Sequence, residues 1–446
     1  MIGTILLNIC QKRAHKTVNL LQNWEVMHRY PNDATRLNRV GLFDIARCSN
    51  RRGRDQALAR ARAALEWSGS DPGLRPEDFL GKVSDYERQQ YALALGRLDP
   101  ARAHAWLRRS ESALALGLAL AAGDAQAAQW HASALAPSRR DDLKKANNLH
   151  AVVAAQHCFS GLHGQARKHL TYLLTNAGFG LAENNLPLRM DDFIPADSPS
   201  SAAQIQDAGL VSVIICAHNA AAFIDKAILS IARQSYRNIE IVAIDDGSED
   251  NTYAHICSAA EINPRITALR IENRGTYAAR NFALSQASGR FITFLDADDV
   301  MLPRRIEQQV EPLQYAGIVA STSRLLRLTG QGRIVSPRIY PLIRHNPASL
   351  MMRREVLERL GPYEEVRFGA DDEYEHRIRL HCGPTSVRRD AQVQTIALHH
   401  PDSLTQSAAT GLDSAAGRQA RIRYREAWTR RHMEQGLSAK PPLSFE

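Results

Sequence analysis

Phe291-Ile292-Thr293-Phe294-Leu295-Asp296-Ala297-Asp298-Asp299 is the stretch on which the reading of this chain turns. The apolar run is short enough for a buried strand, and three carboxylates follow it within four residues. Carboxylates that close repel one another unless a cation or a positive ligand group neutralises them. Hard divalent cations such as Mg²⁺ and Mn²⁺ take oxygen ligands of this kind and share them with substrate phosphates. The same acids also suit a turn that caps a helix starting near Pro303, so the motif by itself admits a purely structural reading.

The neighbouring sequence separates the two readings. From Val211 onward short apolar runs alternate with helical periodicity. Strands are expected over 211–216, 239–244, 266–271 and 291–295, and helices over 252–260 and 277–288. A further helix carries Phe223, Ile224, Ala227, Ile228 and Ile231 on one face. Alternation with short loops predicts an α/β fold, a mostly parallel sheet covered by helices on both faces. Ligands of such sheets bind outside the carboxyl ends of the strands. The polar clusters after the first, second and fourth strands all fall at that edge.

Each cluster has a chemistry. Asp245-Asp246-Gly247-Ser248 ends a buried strand, where an Asp can accept hydrogen bonds from a nucleobase ring N–H or from ribose hydroxyls. Asp250 reads as a turn and cap residue. Arg274 and Arg280 flank a glycine turn and a helix start, a place that suits a nucleotide diphosphate. Asp371-Asp372-Glu373 opens another helical stretch; the acids satisfy the helix dipole, and one of them pointing back would serve as a general base. His399-His400 is either a surface pair or the source of one metal or phosphate ligand.

The whole chain has 446 residues, enough for two domains or more. Residues 1–190 are rich in Ala, Leu, Arg and Gln and predict an all-α domain of helical hairpins. Asp99-Pro100 marks a helix start, and 121–128 reads as a helix end, a tight turn and the next start. The hairpins resemble tetratricopeptide units without a fixed period. Residues 191–209, with Pro195, Ser198, Pro199 and Ser200, read as a linker; 210–405 form the α/β domain and 406–446 a helical extension and tail.

The net charge of +9 favours anionic partners, but there is no nucleic-acid-binding module, so nucleic acid is not an expected partner. The six cysteines lie far apart without metal-ligand spacing and fit reduced thiols. No run is long and apolar enough to cross a bilayer, and residues 1–10 lack the basic region and cleavage site of a secretory signal. Cytoplasmic residence is the expectation, with peripheral contact at the inner face of a membrane, or with a protein, through the helical domain.

In order and spacing, 211–219, Asp245-Asp246-Gly247-Ser248, Asn273-Arg274-Gly275 with Ala279-Arg280-Asn281, and Phe294-Leu295-Asp296-Ala297-Asp298-Asp299 resemble the GT-A-fold glycosyltransferases of family 2. The resemblance covers about 210–405. It implies an inverting transferase that moves a sugar from a nucleoside-diphosphate sugar to a hydroxyl of a glycan or lipid-linked acceptor, using Mn²⁺ or Mg²⁺. The setting it implies is bacterial cell-surface polysaccharide or glycoconjugate synthesis. Carried over by position, Cys216, His218, Asn219 and Asp246 would hold base and ribose. Asp298 would be the metal ligand of the DXD motif, Asp296 would stand beside the ribose or a metal-bound water, Asp299 would cap the next helix, and Asp371 would be the base. Arg274 and Arg280 would face the diphosphate, and His400 would join the metal.

The chain departs from the family pattern at Cys216-Ala217-His218-Asn219, which lacks the usual Pro or Thr and aromatic, and at Ala370-Asp371, which replaces Glu-Asp. Nothing in the resemblance accounts for the first 190 residues. The alternatives are a non-catalytic helical scaffold with a degenerate sugar-nucleotide domain, which intact acids at all three sites disfavour, and a nucleotidyltransferase, which would carry a Gly-rich loop after the first strand.

Overall fold

The computed structural model describes residues 54–438 apart from 70, 80–82, 108–112, 136–142, 198–207, 338, 402, 404–405, 407–410 and 412–413. The start of the chain with Cys10 and Cys48, most of the 191–209 stretch, Asp402, Leu404, Thr405 and the end of the tail lie outside the described residues.

Capping aspartates set out the first part of the chain. α1 (Arg54–Ser68), α2 (Asp85–Leu95), α3 (Pro100–Ala105), α4 (Ala113–Ala121), α5 (Ala125–Ala134), α6 (Leu143–Phe159) and α7 (His163–Leu174) follow one another. Asp99 accepts the Arg102 N–H at 2.9 Å, with Pro100 in the first turn, and Asp124 accepts the Ala127 N–H at 2.9 Å. Both helix starts stand where the sequence placed them.

Val211-Ser212-Val213-Ile214-Ile215 is buried at every position, as a strand covered on both faces must be. It begins β1 (Val211–Ala217), followed by α8 (Ile224–Ala232), β2 (Ile239–Asp246), α9 (Thr252–Ile262), β3 (Ile266–Ile271), α10 (Thr276–Gln286) and β4 (Phe291–Asp296). The four strands run parallel in the order β3-β2-β1-β4, each within two residues of its expected bounds.

The second half holds β5 (Val300–Met301), α11 (Arg305–Val310), β6 (Ala320–Thr329), β7 (Ile334–Val335), β8 (Arg344–Arg353), α12 (Arg354–Leu360), α13 (Ala370–Cys382), β9 (Val387–His399) and α14 (Ala415–Ser438). The nine-stranded sheet continues β4-β8-β6-β9-β5, with β7 on β6. Beyond β4 the parallel arrangement gives way: only β6 and β9 pair parallel, and the other contacts are antiparallel. The α/β expectation stands, as a mixed sheet. One physical reason is the short turn between β6 and β7, which leaves no room for a crossover.

Apolar clusters cover both faces of the parallel half, one containing Ile224, Ile228 and Ile231 of α8, the other Ala279, Ala283 and Tyr374. A further cluster joins the N-terminal helices to the sheet: Leu116, Val152, Leu170, Leu174 and Phe193 share one core with Val300, Leu326, Leu328, Val393 and Ile396. Asn148 of α6 also accepts the Ile343 N–H at 3.1 Å. Phe193, inside the stretch read as linker, is 1% exposed. Among the described residues no helix is long and apolar enough to cross a membrane.

Gly332, at φ +77°, tests this shared core, because a Cβ there would stand 2.6 Å from the Leu188 carbonyl oxygen. Gly332→Ala is expected to destabilise the protein by roughly 1–3 kcal/mol, through left-handed strain and backbone displacement. Thermal melts should show a midpoint lower by about 2–6 °C; an unchanged midpoint would mean that the 181–194 segment does not bear on the turn.

Candidate active site

The carboxyl ends of β1 and β2 are laced together by short polar bonds. Asp246 accepts the backbone N–H of Arg274 at 2.8 Å and of Gly275 at 2.9 Å, so its carboxylate holds the 273–275 turn against the strand end. Gly247 has φ +68°, and a Cβ there would meet the Asn273 nitrogen at 2.6 Å; only glycine lets the two loops touch. His218 Nδ1 lies 2.9 Å from the Asp246 carbonyl oxygen. Asn219 donates its N–H to Ser248 Oγ at 2.9 Å, and its Oδ1 accepts the Glu249 N–H at 2.9 Å. The exposed His218 and Asn219 side chains thus stand on a rigid ledge above Asp246.

Asp245 is fully buried and pairs with Arg270 Nε at 3.1 Å. Asp250 accepts the Ala221 N–H at 3.1 Å and the Thr252 N–H at 2.9 Å, fixing the turn as expected of it. Cys216 lies on the strand beside Arg280, and burial pushes its thiol up to about 12. It packs the floor rather than the ledge. The Arg274 side chain is largely exposed and reaches Glu365 at 3.3 Å.

Arg280, on the second turn of α10, organises the centre. It is 3% exposed, donates to Asp296 Oδ1 at 2.7 Å and to Asp371 Oδ1 at 3.1 Å, and lies 5.2 Å from the centre of the Phe294 ring. Burial disfavours its charge, but Asp296 and Asp371 outweigh burial and hold the guanidinium above its usual range. The Tyr277 O–H also donates to Asp371 Oδ1. Burial and the Asp371 charge push the Tyr277 phenol well above its ordinary range, so it stays a donor.

The remaining acids of the opening motif part company. Asp298 Oδ2 lies 3.0 Å from His400 Nε2, and the His400 ring packs 4.9 Å from Phe223. Asp299 does not cap a helix at Pro303. It accepts the Leu398 N–H of β9 at 3.2 Å, and α11 starts at Arg305 without a side-chain cap. The reason is β5: Val300-Met301 pairs with β9, which turns Asp299 toward Leu398. Burial, with Asp298 and Asp296 nearby, pushes the Asp299 carboxyl well above the usual carboxylate range. A buried Arg305 lies behind the motif, its Nη2 2.7 Å from the Phe294 carbonyl oxygen.

Among the described residues no three His, Cys, Asp or Glu side chains gather as a metal cage. The Asp298–His400 pair offers one oxygen and one nitrogen donor. That set suits a divalent cation whose other positions are filled by diphosphate oxygens and water. A cleft of about 390 Å³ opens beside Asp298, between Arg189, Asp191, Phe223, Lys226 and Leu398. Asp191 pairs with Lys226 at 3.0 Å, so the segment that follows the helical hairpins forms one wall of it.

Asp371 stands in the first turn of α13, and α14 clamps that region from outside. Tyr424 donates to Glu364 at 2.8 Å, Arg431 to the same carboxylate at 2.6 Å, and His432 Nε2 lies 2.9 Å from Glu373. His376 of α13 packs against Trp428 and His432 of α14, its imidazole lowered to about 3, chiefly by burial. Asp372, the neighbouring candidate, is exposed.

Tyr277, the α14 clamp and the Arg189–Asp191 wall were not singled out from sequence. An aromatic at a helix start reads as core, and an Arg-rich helix reads as a solvated face. The Arg-rich pattern of 418–431 was the one available signal.

Residues 212–363 match the model of Glycosyl transferase family 2. An uncharacterized glycosyltransferase of Nostoc sp. is 31% identical over 177 residues, 35% of this chain and 55% of the relative. The Escherichia coli UDP-Glc:alpha-D-GlcNAc-diphosphoundecaprenol beta-1,3-glucosyltransferase WfgD is 41% identical over 102 residues, 23% of this chain and 40% of that protein. The chain thus spans about half or less of the length of these relatives. Staphylococcus aureus TarS, solved with UDP-GlcNAc, aligns over 43% of this chain and 59% of its own at 19% identity, with a TM-score of 0.36, a likeness too slight to build on. The family match spans the loops that carry His218, Asp246, Arg280, Asp296 and Asp298, and residues 212–363 form a family 2 glycosyl transferase domain.

Proposed function

We propose that this protein is an inverting glycosyltransferase that moves a sugar from a nucleoside-diphosphate sugar to a hydroxyl of a glycan or lipid-linked acceptor. The observation that carries the reading is the meeting of Asp296 and Asp371 on one buried Arg280, with Asp296 two residues before Asp298 of the Asp298–His400 pair. Bacterial cell-surface polysaccharide or glycoconjugate synthesis is the setting we assign to it.

In this reading the nucleoside lies on the His218–Asn219 ledge, whose shape Asp246 fixes. Asp298 and His400 would hold a divalent cation, which when bound supplies positive charge to the diphosphate leaving group. Asp371 Oδ1 is engaged by Arg280 and Tyr277, so Oδ2 is the oxygen left to accept a proton from the acceptor hydroxyl. As that proton moves to Asp371, the acceptor oxygen bonds to the anomeric carbon from the face opposite the leaving group. The bond from that carbon to the diphosphate oxygen breaks, and its electron pair leaves with the nucleoside diphosphate. One displacement inverts the configuration without an enzyme nucleophile.

A thermal-shift panel of UDP-glucose, UDP-galactose, UDP-N-acetylglucosamine and GDP-mannose, each with and without Mn²⁺, tests this. A donor present at a hundred times its Kd should stabilise the protein by about 2.7 kcal/mol, only when metal is present. The same donor should release its nucleoside diphosphate on incubation. No shift and no release with any donor would refute the reading.

A further inference from the structure

Arg280 stands where a diphosphate-binding arginine was expected, yet its guanidinium faces two carboxylates. The bonds to Asp296 and Asp371 leave from different nitrogens, Nη2 and Nη1, so a single planar group spans the two acids. Burial at 3% exposure and the Phe294 and Tyr277 rings beside it fix that plane. The second donor to Asp371, the Tyr277 O–H, comes from the same helix three residues earlier and reaches the same oxygen, Oδ1. Among the described residues no hydrogen bond to Oδ2 stands beside these two.

We propose that Arg280 and Tyr277 are positioning residues for the base: together they lock Asp371 by Oδ1, couple it to Asp296 on β4, and present Oδ2 to the acceptor. This rests on the glycosyltransferase reading and assigns Arg280 to the base rather than to the leaving group. The charged and titratable groups around Asp371 are Tyr277 and Arg280 of α10, Asp296 of β4, Tyr363 of the loop before α13, Asp372 of α13 itself and Arg421 of α14. The cation that both bonds Asp371 and is buried is Arg280. Removing its bond leaves the carboxylate free to turn, so Oδ2 no longer faces the acceptor at a fixed angle and the loss falls on the chemical step.

The test uses the full chain with Arg280→Lys and Tyr277→Phe. Lys keeps the charge but, as a point donor, cannot span both acids. Phe keeps the ring and removes only the hydroxyl. Turnover of the nucleotide sugar that wild type uses fastest is followed against donor concentration to give kcat and KM, and UDP affinity with Mn²⁺ is measured by calorimetry. Expected are a fall in kcat of about tenfold or more for Arg280→Lys and about threefold or more for Tyr277→Phe. Donor KM and UDP affinity should both hold within about twofold, so that the loss lies in kcat.

If UDP affinity drops about tenfold while kcat holds, Arg280 is a leaving-group ligand and the proposal is wrong. Wild-type kcat in both variants would equally overturn it. Should Arg280→Lys fail to fold, Tyr277→Phe decides on the same readouts. Absence of binding of both UDP and GDP by the wild-type chain would instead overturn the nucleotide-sugar reading, and this role with it.

Discussion

Asp371→Asn is expected to lower sugar transfer by roughly 10²–10⁴-fold while leaving UDP affinity within about twofold. An amide cannot take the acceptor proton at neutral pH, but its oxygen can still accept the Arg280 and Tyr277 donors that Asp371 Oδ1 now receives. The site therefore keeps its shape and loses its base. Asp372→Asn is the control: that carboxylate is exposed and lies outside the Arg280–Tyr277 pair, so turnover should stay within about twofold of wild type. Quenched-flow or end-point transfer assays, with calorimetry for UDP, separate the two. Loss of transfer in Asp372→Asn alone would move the base by one residue.

Asp298→Ala carries the second large effect. His400 would be left as the single donor of its pair, and one imidazole does not hold a hard cation against water. Metal-dependent turnover should fall by roughly 10²–10³-fold, and the Mn²⁺-dependent part of the UDP thermal shift should vanish. His400→Ala should weaken the metal response less, by about 10-fold to 100-fold. Metal-free stability should not drop in Asp298→Ala. Asp298 adds to the charge that pushes Asp299 up, so its removal relieves repulsion in the buried turn. Turnover of Asp298→Ala near wild type, or an unaltered metal response, would remove Asp298 from the cation site.

Much of the candidate site was legible along the chain because each motif is local. A short apolar run ending in Asp-Ala-Asp-Asp says strand end and acid together, and Asp245-Asp246-Gly247 says the same once more. Where local chemistry had two outlets, sequence chose less well. Asp299 looked like a helix cap because Pro303 stood four residues on, but β5 pairs with β9 and Leu398 takes the carboxylate instead. Arg280, read as facing a diphosphate, is a different case: nothing local could show the two acids that packing sets beside it.

The sequence by itself determined the alternation of strands and helices, the sheet edge that collects the polar loops, and the capped turns of the helical hairpins. All of these follow from periodicity and side-chain chemistry over a few residues, which a chain displays whether or not it has folded. Tertiary structure alone decided the partners. Arg280 and Asp371 are 91 residues apart, and Asp298 and His400 are 102 apart. No local pattern records which acid closes on which base across such distances. The same holds for the helical hairpins, which share an apolar core with β5, β6 and β9: an apolar face shows in the sequence, but what covers it is settled only when the chain packs.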